Sequence, residues 1–128
     1  LKIGNFKKES GKKLTKELLE QSNRPEAIFI TNVDMSMGAL ITIKEMKLTI
    51  PDDIAIVCFD DSDWASILEP SITVIRQPVY QLGSTAAELL IKEIEDEEKK
   101  LDRKPTVVTL NTELIIRNST KKLKVYSR

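Results

Sequence analysis

At 128 residues, with 41% apolar and 31% charged side chains and a formal net charge of zero, the chain has the balance of one globular domain with a sizeable core. That composition excludes a disordered segment, and the charge balance excludes a surface that is basic throughout, as a nucleic-acid platform would be. Histidine is absent and Cys58 is the single cysteine, which removes Ser-His-Asp and Cys-His nucleophile activation and any His- or Cys-rich metal site. No catalytic residue, metal or cofactor is therefore expected. No apolar stretch approaches the roughly 20 residues that span a bilayer, so no membrane association is expected either. The chain starts at Leu1 without a signal-peptide pattern and reads as a processed product or an expressed fragment.

In chain order, Leu14, Leu18 and Leu19 recur at helical spacing and predict a helix over 12–21. Pro25 follows it, and Ala27-Ile28-Phe29-Ile30 predicts a short buried strand ending at Thr31-Asn32. Met35, Ala39, Leu40, Ile43 and Met46 predict a second helix over 34–47, which Pro51-Asp52-Asp53 breaks. The run Ile54-Ala55-Ile56-Val57-Cys58-Phe59 is a strand apolar on both faces, as in a parallel sheet covered on both sides. In it Cys58 reads as a small buried hydrophobe. A short helical segment follows at 64–68, then a strand at 72–75 ending in Arg76-Gln77-Pro78, and a long helix over 79–99 with Leu82, Ala86, Leu89, Leu90 and Ile94 on one stripe. The acidic run 95–98 is a solvated helix end. Two extended stretches, 106–110 and 113–116, close the fold before a basic tail at 121–124.

Alternating strands and helices imply an α/β fold, a three-layer sandwich around a parallel sheet with right-handed crossovers. Three consecutive strands then end in polar residues at one edge: Thr31-Asn32, Asp60-Asp61 and Arg76-Gln77. In open α/β sheets, ligands bind at the carboxyl ends of the strands. The simpler structural alternative is that the two acids only cap the helix after them. A carboxylate at Asp60, amides at Asn32 and Gln77, and the ring of Phe6 suit a neutral polyol: the polar groups pair its hydroxyls and the ring covers a C–H face. A pair of acids after a buried strand also fits the Mg²⁺ site of phosphoryl-accepting receiver domains. That chemistry needs a further strand-end aspartate and a lysine, where this chain offers Asn32 and Gln77.

Taken together, Gly4-Asn5-Phe6 with Glu9-Ser10-Gly11, Ile30-Thr31-Asn32 with Met35 and Gly38-Ala39-Leu40, and Ile50-Pro51-Asp52-Asp53-Ile54 with Phe59-Asp60-Asp61 resemble the effector-binding region of LacI/GalR-type transcription regulators. Ile72-Thr73-Val74-Ile75-Arg76-Gln77-Pro78 and Glu113 to Arg117 with Ser119-Thr120 extend the resemblance over nearly the whole chain. Such regulators usually carry Asp directly after the Asn, whereas here Val33 intervenes before Asp34. The resemblance implies a periplasmic-binding-protein-like fold of two subdomains around a ligand cleft, of which this chain is a part. Residues up to about 73 and 113–120 would belong to the carboxyl-terminal subdomain, about 79–110 to the amino-terminal one, and 121–128 to a tail. It assigns effector binding to Phe6, Asn32, Asp60 and Gln77, with Asp61 in service of the following loop. It also implies a homodimer, with Met35, Ala39, Ile43, Trp64, Ile67 and Leu68 as contacts. The expected partners are a sugar-like effector, with sugar phosphates and purines as further classes, and operator DNA reached only through an upstream helix-turn-helix in the cytoplasm. A periplasmic or lipoprotein sugar-binding protein of a transporter would share this fold; a helix-turn-helix or a signal peptide upstream separates the two.

Overall fold

The strand Ala55–Phe59 owes its central place to its neighbours on either side, both of which run parallel to it. The computed structural model describes residues 1–95 and 105–120. In chain order they form α1 (Lys8–Leu19), β1 (Ala27–Ile30), α2 (Val33–Glu45), β2 (Ala55–Phe59), α3 (Asp63–Ile67), β3 (Thr73–Arg76), α4 (Val79–Glu95) and β4 (Glu113–Ile115). The sheet order is β1-β2-β3-β4. Ile30 lies opposite Cys58, and Cys58 opposite Val74, so all three strands finish at a common edge. The chain divides into two compact units, one of Leu1–Arg76 with the chain from Leu114 onward, the other Gln77–Glu113.

In the first unit the core is Leu19, Ile30, Ala39, Ile43, Ile54, Ile56, Cys58, Ala65, Ile72 and Val74. The second helix covers β1 and β2, and α1 packs against α2. That contact is close because two glycines allow it. A Cβ on Gly11 would lie 2.2 Å from the Met35 carbonyl oxygen, and one on Gly38 would lie 2.1 Å from the Lys8 carbonyl oxygen. The Thr42 hydroxyl donates to the Lys12 carbonyl across the same seam at 3.3 Å. The first helix therefore begins four residues before the predicted start at 12. Its first turn packs through Gly11 rather than an apolar side chain, and hydrophobic spacing does not register a glycine.

Strand β2 was expected to be covered on both faces. Ile56 and Cys58 on one face are fully buried, whereas Ala55, Val57 and Phe59 on the other are only half-buried, and Phe29 opposite Val57 is 52% exposed. Among the described residues α2 covers one face of this sheet, and the parallel-sheet pattern is satisfied there alone. Burial also pushes the Cys58 thiol up to about 11, partly opposed by a hydrogen bond with Ser36.

The segment after β4 locks the starts of β2 and β3. The Ser119 hydroxyl accepts from the Thr73 amide at 2.8 Å and donates to the Ile56 carbonyl at 2.6 Å, while the Ile56 amide donates to the Ser119 carbonyl at 2.9 Å. Ser119 is fully buried, and its polar atoms are paired there as burial demands.

In the second unit, α4 carries the predicted apolar stripe but has no buried residue. The strand expected at 106–110 is absent: those residues form no ladder, because an extended segment becomes a strand only beside a partner, and the described residues offer none. The last part of the predicted helix, the acidic run from 96 onward and the basic tail at 121–124 lie outside the described residues.

Candidate functional site

Asn32 lies two residues past the end of β1 and caps α2. Its Oδ1 accepts from the Met35 amide at 3.0 Å, and its carbonyl accepts from the Ser36 amide at 2.9 Å and hydroxyl at 2.8 Å. Asn is among the preferred residues for this cap, and Asp34 in the first turn complements the helix dipole. The Val33 that follows Asn32 thus does not disturb the start of the helix. Capping commits the amide oxygen, so Asn32 offers a ligand its Nδ2 donors.

Asp60 follows β2 at the same edge. Its amide donates to the Ile75 carbonyl at 2.9 Å, which ties the residue to the end of β3. Its backbone sits at φ 72, a left-handed conformation that costs a non-glycine residue about 1–2 kcal/mol. Phe6 shares that feature at φ 62 and is 69% exposed. Its turn is closed by the Asn5 amide donating to the Ser10 hydroxyl and the Lys7 amide donating to the Asn5 side chain, both at 3.3 Å. A Cβ on neighbouring Gly4 would lie 2.3 Å from the Met35 methyl, so this turn is packed on the first turn of α2. Phe6, Asn32 and Asp60 are thereby brought to the carboxyl end of β1 and β2. Gln77 opens the second unit, directly after β3, and its carbonyl accepts from the Val79 amide at 3.0 Å.

Asp61 is differently placed. Arg117 grips it with two hydrogen bonds, 2.8 Å to Oδ1 and 2.9 Å to Oδ2, and also donates to the Ile72 carbonyl at 2.9 Å. Arg76 approaches Oδ2 from its other side, with Nε at 3.0 Å. The two guanidinium groups hold the Asp61 carboxyl below the usual carboxylate range, Arg117 foremost. The Asp61 carboxylate is therefore committed to the arginines rather than to capping α3, whose cap residue Ser62 makes no side-chain capping bond. Nor is the pair open to Mg²⁺, since a cation would have to displace both arginines from Asp61. Among the described residues no group of three acids, cysteines or histidines is placed to hold a metal. Sequence reasoning missed Arg117, 56 residues from Asp61, because such a pairing leaves no local pattern.

Among the residues expected at a dimer contact, Ala39 and Ile43 are 1% exposed and belong to the core. Helical spacing alone does not tell which face of α2 meets the sheet, and these two lie on the inner one. Met35 and Trp64 are partly buried against the core, whereas Ile67 is 81% and Leu68 37% exposed. Among the described residues no helix is long and apolar enough to cross a membrane.

Residues 4–120 match the model of the periplasmic binding protein-like domain. A transcriptional repressor of the helix-turn-helix type from Photobacterium profundum, PurR, is 36% identical over 94% of this chain and 35% of its own length. A solved LacI family transcriptional regulator from Enterococcus faecium with bound ribose is 31% identical over 94% of this chain and 43% of that one, with a TM-score of 0.76. The transcriptional regulator CelR in complex with cellobiose is 32% identical over 91% of this chain and 34% of that one, with a TM-score of 0.79. The chain thus spans about a third of the length of the curated relatives it matches. With its parallel strands, polar strand ends and a match over nearly its whole length, the chain belongs to the periplasmic-binding-protein-like family, as part of the effector-binding region found in LacI/GalR-type regulators.

Proposed function

We propose that this region senses a small sugar-like effector for a LacI/GalR-type repressor, and that Asp60 is the principal group on the effector's hydroxyls. The observation that carries the reading is the edge itself: Asp60 held left-handed at the end of β2, with Asn32 and Phe6 at the same end of the sheet. A carboxylate accepts from two neighbouring hydroxyls, the Asn32 Nδ2 donates, and an exposed ring covers an apolar sugar face. Ribose and cellobiose in two related regulators support the ligand class. In this reading the first unit is most of the carboxyl-terminal subdomain and the second unit belongs to the amino-terminal one. Operator DNA is then met by another part of a longer, cytoplasmic protein, and occupancy is relayed by a coupling of roughly 1–3 kcal/mol.

Calorimetric titration with a panel that includes ribose and cellobiose tests the reading. At least one member binds, and Asp60→Ala lowers its affinity several-fold or more, because ligand hydroxyls are left unpaired. Unchanged affinity in that variant removes Asp60 from the site.

The same reading includes a homodimer through the exposed Ile67 and through Leu68, which lines a groove of about 610 Å³ together with Met37, Leu40, Ile41 and Pro70. Ile67→Asp places a charge where a partner would have to bury it. It should shift a dimer to monomer in sedimentation velocity, and an unchanged profile excludes this face.

A further inference from the structure

Two neighbouring acids at one strand end do different work, and the partners of Asp61 say what its share is. The first unit is left at Arg76 and re-entered at Leu114. Arg76 is the last residue of the outgoing strand and Arg117 lies three residues into the returning segment; both hold Asp61. The Asp61 and Arg117 side chains are only 10% and 15% exposed, and Arg76 is 49% exposed. The Arg117 contact is bidentate and reaches the Ile72 carbonyl as well, a planar fork that fixes orientation as well as distance. The Arg117 amide donates to the Thr73 hydroxyl at 2.9 Å, and the Asn118 amide to the Ser71 carbonyl at 3.0 Å, so the return segment is anchored on β3 next to the same cluster.

We propose that Asp61 is a positioning residue, a single carboxylate that ties the loop carrying Asp60 to both chain segments through which the first unit is left and re-entered. One acid then faces the ligand edge while its neighbour holds that edge in register with the two crossings. A displacement of the Asp60 loop is passed to both, because Asp61 follows Asp60 directly and its two oxygens are held by one arginine on each segment. That the clamp sets the position of an effector-binding group rests on the function proposed above; the clamp itself does not.

Amide hydrogen exchange on the full chain, without ligand, tests it. Asp61→Asn keeps the shape and removes the charge. Exchange should rise about tenfold or more at Asp60, whose amide bonds to the Ile75 carbonyl, and at Arg117 and Asn118, while Cys58 and Ile43 in the core keep their protection. Single variants separate the two arms: Arg76→Gln should loosen Asp60 and leave Arg117 protected, and Arg117→Gln should loosen Arg117 and Asn118. Unchanged exchange at Asp60 and Arg117 in Asp61→Asn overturns the proposal, and so does a uniform rise that includes Cys58. Should Asp61→Asn not fold, Arg76→Gln decides alone through Asp60, since that guanidinium is half-exposed. Failure of every sugar to bind would count against the proposed function and leave these exchange results untouched.

Discussion

Helices α1 and α4 are both amphipathic, yet they end up in opposite circumstances. The 12 residues of α1 bury Gly11, Thr15 and Leu19 at four-residue spacing. The 17 residues of α4 bury none, and its stripe stands open, with Leu82 at 41%, Leu90 at 59% and Ile94 at 65% exposure. The contrast teaches that an apolar stripe is a demand for a partner, and the partner decides the stability gained. The first helix meets α2 across two glycines, close enough for backbone contact, whereas none of the residues described around α4 seals its stripe.

The largest expected effect sharpens that contrast. Ile56 is fully buried in β2, so Ile56→Ala should cost about 2–5 kcal/mol of the first unit's stability. Leu90→Ala on the open stripe should cost about 0.5 kcal/mol or less. Urea unfolding followed by Trp64, the single tryptophan, reads the first unit in Ile56→Ala, and loss of helical circular dichroism reads α4 in Leu90→Ala. Comparable losses would break the comparison.

A smaller effect separates two helical glycines. A Cβ on Gly38 would meet the Lys8 backbone at 2.1 Å, and one on Gly83 would meet nothing within 4 Å. Gly38→Ala should therefore destabilise by about 1–3 kcal/mol through overpacking. Gly83→Ala should stabilise α4 by about 0.5–1 kcal/mol, read from its helical circular dichroism on heating. The reverse order of the two would show that the α1–α2 seam yields more readily than its geometry indicates.

The smallest effect is in acid. The folded state holds the Asp61 carboxyl below its ordinary value, so the stability it contributes is complete above the unfolded-state value near 4. It is lost as pH falls from there through the lowered folded value. Protonation thus favours the unfolded chain, and Asp61→Asn should flatten the acid limb of stability against pH. An acid limb of equal slope in parent and variant would assign the loss to other carboxylates.

Much of the fold was legible because β1, β2 and β3 are short apolar runs bounded by turn residues, and those patterns are local. Strand β1 lies where its four apolar residues predict it, at Ala27–Ile30. The early start of α1 was hidden because Gly11 packs without hydropathy, and the stretch 106–110 looked like a strand because its residues favour one. At the site, the acid pair and Asn32 were visible as polar residues at strand ends. The clamping of Asp61 by two arginines was not, since Arg117 lies 56 residues away.

By itself the sequence determined most of the order of elements and the polar edge of the parallel sheet, because periodicity and strand-end chemistry are written in neighbouring residues, and its motifs carried the resemblance to the family. Only the tertiary structure decided which side of α2 is core, which face of the sheet is sealed and which acid is clamped. Each of those depends on what lies opposite, and a residue's opposite number is set by packing across the chain.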